Sequence, residues 1–69
     1  MNEHEATEFR NTLVAFYYAG DPMQEHEWVK EHIKKYGYQE VINSCKNYAF
    51  VDSILVKVLE DLNKEKSNG

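Results

Sequence analysis

The segment 50–62, FVDSILVKVLEDL, constrains this chain most: its large apolar residues fall at Phe50, Val51, Ile54, Leu55, Val58, Leu59 and Leu62. Steps of three and four lay a wide apolar stripe along a helix, and such a stripe must be covered. The rest of the chain reads as partners gathered around it. Only 69 residues are available for that task. At this size a core supplies no more than about 3–5 kcal/mol of net stability. A single cysteine, Cys45, excludes an internal disulfide, and no Cys/His cluster has zinc-finger spacing. Stability must come from helix packing or from association with another chain. Five Tyr, three Phe and one Trp provide area to bury by either route.

Helix start and stop signals divide the chain. Asn2 and Glu5 have the spacing of a capping box, and Ala6, Phe9, Leu13, Phe16 and Tyr17 follow at helical intervals until Gly20, a C′ residue. Asp21 as N-cap, Pro22 at N1 and Gln24 at N3 open a second helix, whose inward face is Val29, Ile33 and Tyr36. Lys34 and Lys35 suit its negative C-terminal end, and Gly37 followed by Tyr38 predicts a Schellman ending over Ile33. A third helix carries Val41, Ile42 and Cys45 inward. Continuing it in phase would bury Asp52, an uncompensated carboxylate, so a break is expected near 48–51, with Asp52 capping the fourth helix and Val51 and Val56 forming a staple. The expected elements are helices at about 3–19, 22–36, 39–47 and 52–65, with a polar tail at 64–69 that frays. Strand-like alternation is nearly absent. The fold class predicted is all-α, a compact single-domain bundle of three to four short helices.

Charge narrows the function. The net charge is −4, and residues 1–31 hold Glu3, Glu5, Glu8, Asp21, Glu25, Glu27 and Glu31 against Arg10 and Lys30. An acidic chain is a poor default ligand for nucleic acid, whose binding draws on phosphate neutralisation. The longest apolar run is too short to span a bilayer, and no export signal opens the chain. With one free thiol, the expected location is the reducing cytoplasm.

No residue constellation points to catalysis. His26 and His32 are six residues apart, on different helix faces, which does not suit a metal pair. Cys45 sits on an apolar stripe with no nearby histidine and reads as a buried structural thiol. Glu25, Glu27 and Glu31 read as a solvated acidic face. The expectation is a non-enzyme without cofactor, metal or small-molecule substrate.

Two classes of partner remain. The surplus aromatics Tyr18, Trp28, Tyr36, Tyr48 and Phe50 cannot all be hidden in so thin a bundle, and Tyr and Trp often anchor protein interfaces. Beside the acidic face they predict a protein–protein interaction module, a regulator or inhibitor, acting on another protein or on itself as a homodimer. The alternative is an atypical helix-turn-helix DNA-binding regulator, with Lys34, Lys35, Gln39, Asn43 and Lys46 toward DNA. Ile33, Asn43 and Lys46 depart from the small and apolar residues that such a motif requires at these places.

Overall fold

The computed structural model describes residues 1–68, with side chains through Lys66. Four helices make an all-α bundle: α1 (Glu3–Ala19), α2 (Pro22–Tyr36), α3 (Tyr38–Cys45) and α4 (Val51–Asn68). No strand occurs among the described residues.

Local chemistry explains the helix ends. The Asn2 side chain accepts from the Glu5 backbone at 2.8 Å while Glu5 accepts from the Asn2 backbone at 3.1 Å, which completes the capping box. At the far end of α1, Gly20 takes the left-handed conformation (φ 69, ψ 39). The Gly20 N–H reaches the Tyr17 carbonyl and the Asp21 N–H reaches that of Phe16, which is the Schellman pattern. Asp21 then caps α2 by accepting from the Gln24 backbone. Turn and cap share two residues, so α1 folds straight back on α2.

Gly37 behaves differently from the expected Schellman ending. Its φ of 98 and ψ of 154 suit glycine alone, and its N–H bonds to the Ile33 carbonyl. Tyr38 opens α3, and it lines the same surface lobe as Ile33. The break before α4 falls at 46–50 rather than 48–51. Two tight turns occupy it, Tyr48 N–H to Cys45 carbonyl and Val51 N–H to Tyr48 carbonyl. They turn Phe50 onto Tyr17, the rings stacking at 4.2 Å, with Tyr48 on its other side. Helix α4 thus starts one residue before Asp52, which is not the cap but an exposed member of the first turn. At its far end α4 stays helical through the 64–68 part of the tail expected to fray, because Glu65 is held by Lys30 and Lys34. The remaining tail residue, Gly69, lies outside the described residues.

The core is Phe9, Leu13, Val29, Ile33, Val41, Cys45, Val51 and Val58. Helix α2, not the 50–62 stripe, is the hub. It packs against all three other helices, whereas α4 rests on α2 and approaches α1 and α3 little. Of the seven apolar residues of the stripe, only Val51 and Val58 are fully buried. The molecule measures 33 × 27 × 16 Å along its principal axes.

Candidate functional site

The stripe of α4 is wider than the seam it makes with α2, and the surplus faces outward. Val56 and Leu59 remain 57% and 37% exposed, and Tyr38 at the start of α3 is 39% exposed. Because α3 and α4 both pack on α2 but barely touch each other, these residues line an open groove between them. One lobe, of about 520 Å³, runs over Ile33, Tyr38, Leu59 and Leu62 toward Lys66. The other, of about 330 Å³, runs over Ile42, Leu55 and Val56 toward Lys46 and Asp52. Tyr38 and Leu59 belong to both lobes and form the saddle between them. Apolar surface left open in this way is the feature of the molecule most suited to a partner. The sequence carried the signal in the excess width of the stripe, yet Leu59 read as core.

Helices α2 and α4 are joined by an ionic ladder whose last rung, Lys34 with Glu65, borders the larger lobe of the groove. Asp61 accepts from His26 at 2.9 Å and from Lys30 at 3.2 Å, and Glu65 pairs with Lys30 at 3.1 Å and Lys34 at 3.3 Å. The His26 contact, then Lys30, holds the Asp61 carboxyl below its ordinary value, and Lys30, then Lys34, does the same for Glu65. Reciprocally, Glu65 and Asp61 push Lys30 upward. At the other end of α2, Glu5 is lowered by its bond from the Asn2 backbone and then by the Tyr36 hydroxyl, 2.8 Å away. These groups tie helices together and present no nucleophile.

Three of the expected aromatic anchors serve the chain itself. Trp28 donates its indole N–H to the Phe9 carbonyl, and its ring lies against His32 and Phe16. Tyr36 is held by Glu5, and Phe50 lies between Tyr17 and Tyr48. Tyr48 is half-buried at the end of that stack. Tyr18 alone stands well clear, 81% exposed, edge-on to Tyr17.

The residues of the DNA-reading alternative do not gather into a basic face. Lys34 is paired with Glu65, Lys35 lies over the Tyr36 ring at 5.1 Å, and Lys46 sits at the groove. Gln39 and Asn43 are exposed on α3 but bond to each other at 3.2 Å. The N-terminal amine caps this arrangement by pairing with Glu40 at 2.7 Å.

Two titratable groups lie inside. Cys45 donates its thiol to the Val41 carbonyl, and burial, then the Asp52 charge, pushes its pKa up, which suppresses the reactive thiolate. Glu25, expected on a solvated acidic face, is buried in phase with Val29 and Ile33. Its Oε2 has no hydrogen-bond partner, and burial, then the nearby Asp21, raises its pKa. Among the described residues, no three His, Cys, Asp or Glu side chains converge on a point that could hold a metal ion. No described helix is long and apolar enough to cross a membrane.

The chain matches no protein-family model, no curated protein and no solved structure.

Proposed function

We propose that this protein is a small non-enzymatic interaction module of the reducing cytoplasm, and that its docking site is the α3–α4 groove. The observation that carries this reading is the unburied apolar saddle of Tyr38, Val56 and Leu59 in a chain with little core to spare. The groove fits an amphipathic helix of mixed charge. Its floor is apolar, and its rim alternates sign, with Lys46 and Asp52 at one end and Glu65 and Lys66 at the other. Occupying a regulatory surface on the partner is the mode of action this supports. The raised pKa of Cys45 favours binding over nucleophilic chemistry.

The test is affinity capture from native extract with the wild type and with Leu59→Glu, followed by mass-spectrometric identification. A chain retained by the wild type and lost from a still-helical Leu59→Glu supports the groove. Equal retention by both proteins removes it. Sequence-specific retention of genomic DNA fragments at nanomolar protein and moderate salt would replace this reading with the DNA-binding one.

A further inference from the structure

We infer that the helix which fills the groove is α4 of a second copy, packed antiparallel about a two-fold axis that passes beside Leu59; this rests on the docking reading above. The argument starts from spacing. Asp52, Leu59 and Lys66 are seven residues apart, so they share one line along α4, and all three border the groove. Leu59 is its midpoint and the residue common to both lobes.

A two-fold axis there has definite consequences. Leu59 meets Leu59 of the copy, Val56 meets Leu62 of the copy, and Asp52 at one end meets Lys66 of the copy at the other. The acid and the lysine lie about 21 Å apart along the helix, at 1.5 Å per residue. Reversal therefore brings opposite charges together twice, once at each end. Among the described residues, neither Asp52 nor Lys66 pairs within its own chain. An isologous contact demands a self-complementary surface, and this line of residues is one.

The area needed agrees. A specific interface covers about 800 Å² of each partner. That is about one-sixth of the 4794 Å² surface of this chain. A footprint of that size is enough to cover the exposed Tyr38, Val56 and Leu59.

Sedimentation equilibrium over a wide concentration range, with site-directed cross-linking, tests the inference. The wild type is expected to approach twice 8.1 kDa. Leu59→Glu should sediment as a monomer while keeping its helical circular dichroism. Asp52→Lys should weaken the dimer several-fold, and Asp52→Lys with Lys66→Asp should restore it, because the pairs re-form with signs reversed. Leu59→Cys should cross-link to itself under mild oxidation, and Glu60→Cys should not. A wild type that stays monomeric at every concentration overturns the second copy. So does a dimer that survives Leu59→Glu or leaves Leu59→Cys unlinked. None of these results touches the docking reading, which falls if Leu59→Glu captures the same partners as the wild type or if the chain retains specific DNA fragments.

Discussion

Val58 and Leu59 are neighbours on α4, and truncating each to alanine separates core from groove. Val58 is completely buried and loses two carbons in Val58→Ala. Transfer alone costs about 1.6 kcal/mol at ~0.8 kcal/mol per buried CH₂. The sealed space left behind raises the total to roughly 2–3 kcal/mol. Leu59→Ala removes three carbons, but the residue is 37% exposed and borders an open groove. Its transfer cost is about 1.5 kcal/mol at most, with no enclosed cavity to add, so about 1 kcal/mol is expected. The smaller truncation should therefore be the more damaging. With total stability of about 3–5 kcal/mol, Val58→Ala should lower Tm by about 10–20 °C and leave a substantial unfolded fraction. Urea denaturation followed by circular dichroism, near 1 μM to limit association, gives both values. If Leu59→Ala costs as much as Val58→Ala under dilute conditions, the groove is closed and the outward placement of Leu59 is wrong.

Three further outcomes are expected. Glu25→Gln should be more stable than wild type at neutral pH. A carboxyl whose folded pKa is raised weakens the fold above that pKa, and the deficit vanishes as pH falls toward the unfolded value near ~4.3; Tm curves of the two proteins that run parallel from pH 7 to 4 would contradict this. Asp61→Asn should lower Tm slightly at low salt, less so in high salt, and should flatten the wild-type loss of stability at acid pH. That loss follows because a lowered carboxyl pKa contributes its full stability above the unfolded value and loses it as pH falls through the folded one. Gly37→Ala should cost about 1–3 kcal/mol and Gly20→Ala about 1–2 kcal/mol, both from backbone strain. No atom lies within 4 Å of an added Cβ at either site, so equilibrium unfolding reads the dihedral cost directly.

What could be read from the sequence was chemistry acting over a few residues. The Asn2–Glu5 box, the Asp21–Pro22 start and the glycines at 20 and 37 act between near neighbours, and each stands at a helix end. The all-α class followed from them. Depth was harder to read. Val56, Val58 and Leu59 are equally apolar, and which of them is covered depends on where α2 lies beneath α4. Trp28 looked like spare aromatic area because its partner, the Phe9 carbonyl, lies on another helix. Glu25 had a legible clue, its phase with Val29 and Ile33, but its charge concealed it. The groove itself arises from the splay of α3 from α4, which no local pattern encodes.

The central place of α2 also orders events in time. Helices α1 and α2 meet across a two-residue turn already shaped by Gly20 and Asp21, so closing that hairpin orders almost no intervening chain. Lys30 must instead find Glu65 across all of α3 and the 46–50 turns. Loop-closure entropy rises with the length of chain enclosed, which makes the docking of α4 the late step in folding and its release the early step in unfolding. Backbone amides of α4 should therefore exchange with solvent deuterium sooner than those of α1 and α2 at equal depth. A protease cutting in the 46–50 turns would free α4 together with the buried Val51 and Val58, and the three helices left behind would lose too much core to stay folded.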